Sequence, residues 1–213
     1  MSKIYPEILD KKRQEIFYRL IYFKKYGYLA GGTALALQLR HRKSADFDVF
    51  IKSPVGNYLR LKTKEIFGRS DFYVSNQDQI SFKTKDMIDI TFFWYCYKPL
   101  YPLVETSSIS LASVYDIAAD KAHTIGRRAM WRDYVDLFFL LKEEVVNLKK
   151  VVGLAKKKFA GEFNEALFLE QLSYFEDMEE SPMEFIRDKY SAAEIQSFLE
   201  EQVRGYLKTL KLG

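Results

Sequence analysis

Asp46 and Asp48 stand two residues apart in Ser44-Ala45-Asp46-Phe47-Asp48-Val49-Phe50-Ile51, where polar and apolar residues alternate. That alternation predicts a strand buried on one face, and residues i and i+2 of a strand point to the same side. Two carboxylates held that close repel each other unless a cation sits between them. Mg²⁺ takes oxygen ligands and commonly completes its shell with water and substrate phosphates. A strand-borne Asp-x-Asp is therefore a candidate half of a metal site for phosphoryl or nucleotidyl transfer, the plainer alternative being one solvated Asp and one turn cap. Asp89 adds to the pattern because it interrupts the strongly apolar Ile88-Asp89-Ile90-Thr91-Phe92-Phe93, where an unpartnered carboxylate would be costly to bury. If its strand lies beside that of Asp46 and Asp48, three carboxylates converge: two for a nucleotide-bound metal, the third for a second ion or as base for an attacking hydroxyl. The alternative for Asp89 is an ion pair with a Lys or Arg at a sheet edge.

Gly31-Gly32-Thr33 follows the short apolar run Tyr28-Leu29-Ala30. Glycines allow close backbone approach to a phosphate, and a helix starting there presents free N–H groups. Thr33 is placed to cap that helix, expected over Ala34–Arg40.

The elements that must position these residues follow from periodicity. Tyr5–Tyr26 has the spacing of an amphipathic helix stopped by Gly27. A helix is expected from Ser53-Pro54 to Phe67, then strands at Phe72–Ser75, Gln79–Lys83 and Met87–Phe93. From Ser110 onward the pattern turns helical: Val114–Gly126, Trp131–Lys149, Val151–Phe159, Asn164–Phe175 and Ala192–Lys208. The expected fold is α+β: a small mixed β-sheet core flanked by helices over residues 1–105, then a C-terminal helical bundle over 106–213 that contributes to the active-site cleft.

Composition bounds the alternatives. The 213 residues are 48% apolar and include 17 Phe, 15 Tyr and 2 Trp, which excludes a disordered or fibrous chain. Cys96 is the only cysteine, and His41 and His123 are the only histidines, which excludes a disulfide framework and argues against a zinc centre. Met1–Arg13 is charged and lacks a signal-peptide core, and no apolar run reaches membrane-spanning length, so a soluble, cytoplasmic chain is expected, with no membrane partner. Residues 1–70 carry 15 Lys/Arg against 6 Asp/Glu, whereas residues 71–213 carry 18 against 23, with 12 acids in 162–201. A polyanionic partner would meet the basic front, and His41-Arg42-Lys43 would form a basic loop beside the acids where an anionic substrate enters.

Gly31-Gly32-Thr33-Ala34-Leu35-Ala36 followed by His41-Arg42-Lys43-Ser44-Ala45-Asp46-Phe47-Asp48-Val49-Phe50 resembles the AbiEii/AbiGii toxin-type nucleotidyltransferases, a branch of the DNA polymerase beta-like superfamily. The later signatures also occur in order: Asp89, Asp120-Lys121-Ala122, Arg127-Arg128, and Arg132-Asp133-Tyr134-Val135-Asp136-Leu137. The resemblance covers about residues 28–141. It implies a nucleotidyltransferase using Mg²⁺ or Mn²⁺, with Asp46, Asp48 and Asp89 as metal ligands and catalytic carboxylates. Gly31, Gly32, Thr33 and Ser44 would hold the NTP. Lys121 would contact phosphate and stabilise charge on the leaving pyrophosphate, with Asp136 or Asp133 nearby. It also implies NMP transfer from an NTP to a macromolecular hydroxyl, with a tRNA 3′ end favoured, in a toxin with a cognate antitoxin protein. Protein nucleotidylation and a non-catalytic nucleotide-binding module are the alternatives. For Lys121 a surface position, and for Arg132 with Asp136 a simple i,i+4 helix pair, are the structural readings.

Overall fold

The computed structural model describes residues 3–68, 71–127, 130–176 and 178–211. The chain divides into two compact units, Met1–Ser113 and Val114–Gly213.

The first unit is built on a five-stranded sheet of order β1-β2-β5-β4-β3, formed by Gly27–Ala30 (β1), Phe47–Ile51 (β2), Phe72–Ser75 (β3), Gln79–Lys83 (β4) and Asp89–Trp94 (β5). β2 runs antiparallel to β1 and parallel to β5, and β4 is antiparallel to both β5 and β3. Alternation decides the faces. Phe47 and Val49 of β2, Ile90 and Phe92 of β5, and Ile80 and Phe82 of β4 are fully buried. Against this apolar face pack Phe23, whose ring lies 4.7 Å from Phe92, and Phe67, 5.7 Å from Phe82. Phe23 ends a 3₁₀ turn, Leu20–Phe23, that follows helix α1 (Lys11–Arg19), and Phe67 ends α3 (Asn57–Phe67).

The outer edge of β1 is covered rather than left open. Leu29 accepts from Ala112 N at 2.8 Å and donates to Ser110 O at 2.9 Å. These bonds place residues 110–112 with the sheet, and the unit ends after Ser113 rather than after residue 105.

Helix α2 spans Gly31–Leu39, and Thr33 to Leu37 are all buried, as its run of Ala and Leu dictates. It starts at Gly31 with Ala30 as N-cap, so Thr33 lies inside the first turn and does not cap it. The expected helix from Ser53 begins at Asn57 instead, behind an extended Gly56. The long N-terminal helix is divided into a Pro6–Ile8 turn, α1 and the 3₁₀ turn.

Among the described residues, the second unit holds five α-helices: α4 (Val114–Ile125), α5 (Trp131–Lys142), α6 (Leu148–Phe159), α7 (Glu165–Gln171) and α8 (Ala192–Lys211). The sequence pattern suggested that α5 continues to Lys149. It stops at Lys142 because Glu144 adopts a left-handed φ of 55° and Asn147 caps the next helix, accepting from Lys150 N at 2.8 Å. A capping box starts α8: Ser191 N donates to Glu194 Oε2 at 2.7 Å and Glu194 N donates back to Ser191 Oγ at 3.3 Å. Phe138 of α5 meets Phe198 of α8 at 5.1 Å and Tyr190 at 4.9 Å, which fastens α8 to the bundle.

Candidate active site

The register places Asp48 and Asp89 on neighbouring strands of the sheet. Phe47 pairs with Ile90 and Asp48 with Thr91 across the parallel β2–β5 ladder. The strand of Asp89 is thus the direct neighbour of the Asp48 strand. Asp48, Asp89 and Thr91 share the face opposite Phe47, Val49, Ile90 and Phe92. Ser81 of β4 lies opposite Thr91 on that face, with the two hydroxyls 3.0 Å apart, and Gln79 donates to Ser81 at 2.7 Å. One side of the sheet is therefore an apolar core surface; the other has a polar floor at Asp48, Asp89, Thr91 and Ser81, with Phe50 and Phe93, ring centroids 6.1 Å apart, further along the same face.

The glycine pair abuts this floor. Ala30 pairs with Asp48, so the β1–α2 turn begins directly beside it. Gly31 has φ of +66°, and a Cβ there would stand 2.8 Å from Asp48 Oδ2. A Cβ on Gly32 would meet Arg42 Nη2 at 2.6 Å and Ser44 Oγ at 3.2 Å. Gly31 needs glycine for its positive φ and the nearby Asp48 carboxylate, whereas a Cβ at Gly32 would displace the end of the Arg42 side chain. Ala30 supplies no side-chain acceptor to the start of α2, which leaves that end suited to an anion. Thr33 is buried, and its hydroxyl hydrogen-bonds to the Asp46 carbonyl and lies 2.9 Å from Ser44 Oγ. It ties the Ser44–Asp46 segment to α2, fixing where the carboxylate pair enters β2.

His41-Arg42-Lys43 is not the open basic loop that its composition suggests. His41 and Arg42 are buried and Lys43 is exposed. Arg42 donates to the Lys43 carbonyl at 2.9 Å while its other terminal nitrogen faces Gly32. A guanidinium is thus set against the glycine turn, beside the acids as expected but buried rather than open.

Asp89 is engaged from two sides. Tyr73 Oη donates to its Oδ1 at 2.9 Å, and Lys83 Nζ stands 3.2 Å from Oδ2. Lys83 is the direct cross-strand partner of Asp89, and Tyr73 sits where the β3–β4 register shifts between Phe72 and Val74. Such an irregularity re-aims a side chain, here across β4 toward Asp89. Burial pushes the Tyr73 phenol above its ordinary pKa, and the Asp89 carboxylate and the Asp46 charge push it further in the same direction. Neither Tyr73 nor Lys83 was identified from the sequence, because their approach to Asp89 depends on the strand order.

Among the described residues, no three side chains of His, Cys, Asp and Glu stand close enough together to hold a metal. Asp46 and Asp48 nevertheless fit Mg²⁺ by their donor chemistry. They are hard carboxylate oxygens two residues apart, and the ion is commonly held by one or two carboxylates plus substrate phosphates.

In the second unit, Lys121 of α4 is buried rather than displayed on the surface. Its Nζ lies 2.6 Å from Asp133 Oδ1 and 2.5 Å from Asp136 Oδ2, both on α5. Asp133 and Asp136 both hold the same ammonium. Burial and the Asp133 charge push the neighbouring Tyr134 phenol up to about 12. A second buried lysine, Lys158 of α6, lies 3.1 Å from Asp116 and 2.7 Å from Asp120 on α4. Arg127 Nη1 is 3.1 Å from His123 Nε2; Arg128 lies outside the described residues.

Residues 80–208 match the family model described as nucleotidyl transferase AbiEii toxin, type IV toxin–antitoxin system. That span covers β4 through most of α8, including the C-terminal helices where motif reading found nothing distinctive. The chain is 32% identical over 189 residues to the uncharacterized protein aq_aa25 of Aquifex aeolicus, covering 85% of this chain and 88% of that protein. Its fold is similar to that of MenT4, the nucleotidyltransferase toxin Rv2826c of Mycobacterium tuberculosis, with TM-score 0.68 and 14% identity, covering 93% of this chain and 82% of the other. JHP933 of Helicobacter pylori is similar at TM-score 0.53 and 14% identity, covering 98% of each chain. With more than half of its length matched by the family model on an α+β fold of the same kind, the chain belongs to the AbiEii nucleotidyltransferase toxin family and is a nucleotidyltransferase.

Proposed function

We propose that the chain moves NMP from a Mg²⁺-bound NTP to a macromolecular hydroxyl, with a tRNA 3′ end as the favoured acceptor, as the cytoplasmic toxin of a pair with a cognate antitoxin protein. The observation that carries this reading is the glycine turn pressed onto Asp48, with Gly31 separated from the carboxylate by less than the room a Cβ would need. Backbone at Gly31 and Gly32 and the start of α2 would receive the triphosphate, with Ser44 beside them. Asp46 and Asp48 would hold the metal, which supplies charge neutralisation at the phosphates and lowers the pKa of the acceptor hydroxyl. Asp89 would take the proton of that hydroxyl as it attacks the α-phosphate and pyrophosphate departs. The phosphate role of Lys121 and the accompanying role of Asp136 are proposed from the family resemblance. The RNA acceptor is supported by the excess of 15 basic over 6 acidic residues in positions 1–70. Among the described residues no helix is long and apolar enough to cross a membrane.

The test incubates the purified chain with Mg²⁺, each α-³²P-labelled NTP in turn, total RNA and cell protein, and resolves the products on denaturing gels. Label on a tRNA-sized band is the expected outcome. Label confined to protein bands would replace the RNA acceptor with a protein hydroxyl. Absence of label and of pyrophosphate with every NTP would remove the transferase reading.

A further inference from the structure

We propose that Tyr73 is an internal acceptor, whose phenol oxygen receives NMP from the NTP bound at this same site, so that the chain nucleotidylates itself. The inference rests on the transferase reading above and names one further substrate of that site.

An acceptor hydroxyl must lie within hydrogen-bond reach of the group that takes its proton, about 2.6–3.2 Å between heavy atoms. Tyr73 Oη meets that requirement, donating to Asp89 Oδ1 at 2.9 Å. Lys83 occupies the other carboxylate oxygen at 3.2 Å, which orients Asp89 with Oδ1 toward the phenol. The placement has a structural cause. The register shift in β3 falls at Tyr73, and the small Ser81 lies on the intervening strand, letting the ring reach over β4 to Asp89. Tyr73 is still 58% exposed, so solvent and a bound nucleotide can reach it. The charge of Asp46 also acts on this phenol, so Tyr73 is bonded to Asp89 and within electrostatic reach of Asp46.

The step balances without any further reactant. The Oη–H proton passes to Asp89 and Oη forms a bond to the α-phosphorus. The bond from that phosphorus to the α,β-bridging oxygen breaks, and pyrophosphate carries away the electron pair. The product is a tyrosyl phosphodiester at Tyr73. Because the modified phenol occupies the place of an external acceptor hydroxyl, a self-labelled chain transfers less NMP to other molecules.

The full chain is incubated with Mg²⁺ and each NTP, first alone and then with total RNA. Intact mass and peptide sequencing by mass spectrometry are read alongside pyrophosphate release and RNA labelling. One NMP residue on the peptide containing Tyr73, removable by phosphodiesterase, is expected. Tyr73→Phe should lose the adduct, whereas Tyr18→Phe, at an exposed tyrosine on α1, should keep it. Mapping on the wild-type chain identifies the residue directly, so the result does not depend on how the variants fold. Transfer to RNA or protein with Tyr73 unmodified, or an adduct on another residue, would overturn the inference while leaving the transferase reading standing. Absence of pyrophosphate release altogether would overturn both.

Discussion

Gly31 and Gly68 both have positive φ, +66° and +85°, yet they differ in what lies around them. A side chain at Gly68 would meet nothing within 4 Å, whereas one at Gly31 would run into the Asp48 carboxylate. Gly31→Ala and Gly68→Ala should therefore each lose stability on the order of 1–3 kcal/mol, from backbone strain, measurable by urea denaturation. Only Gly31→Ala should also lose NMP transfer, by moving Asp48. Equal activity in the two variants would separate the glycine turn from the site. At this scale the sequence is informative where chemistry is local. Two acids at i and i+2, and two glycines before a helix, can be recognised without knowing the fold. Thr33 shows the limit: its position before an apolar run suggests a cap, but glycine already starts the helix, and the hydroxyl bonds instead to Asp46 and Ser44.

The helices of the second unit are joined through buried charge. Lys121 of α4 holds Asp133 and Asp136 of α5, and Asp136 is fully buried. Removing the cation alone leaves two buried carboxylates uncompensated, a loss of about 3–5 kcal/mol. Lys121→Met should lower the denaturation midpoint accordingly, and adding Asp133→Asn and Asp136→Asn should recover much of it. An unchanged midpoint for Lys121→Met would show that the pair contributes nothing to this interface. His123 of α4 stacks on Phe159 of α6 with ring centroids 3.9 Å apart. Burial holds its pKa below the ordinary 6.5, and the Arg127 charge lowers it further. The unfolded chain thus binds this proton more readily than the folded one. The associated stability is complete above pH 6.5 and is lost as pH falls from 6.5 through the lower folded pKa. His123→Phe should remove that part of the pH dependence of the melting temperature, whereas identical profiles would contradict the assignment. Helix positions were legible from periodicity, but the end of α5 was not, because the left-handed turn at Glu144 carries no glycine, and α7 stops at Gln171 rather than at Phe175.

Across the molecule, the α+β order of a sheet region followed by helices was readable from where period-two alternation gives way to helical spacing. Strand order was not. Inserting β5 between β2 and β4 requires a parallel pairing that no local pattern specifies, and it decides the neighbours of Asp89. Asp89 lies on a strand that adjoins that of Asp48, and its carboxylate meets Lys83 inside the sheet rather than at an edge. The same nonlocality hid Tyr73 and the burial of Arg42. Charge was legible as a sum, with basic residues concentrated in positions 1–70, but not which of them lie buried in the site. The most direct test of the central claim compares NMP transfer by the wild type with that of Asp46→Asn and Asp48→Asn, in Mg²⁺ and after chelation by EDTA. The predicted result is transfer that requires the metal and falls by about 10²-fold or more in each variant, the scale of losing one electrostatic contact in an active site. Undiminished transfer by both folded variants would contradict the account, because the chemistry would then lie away from Asp46 and Asp48.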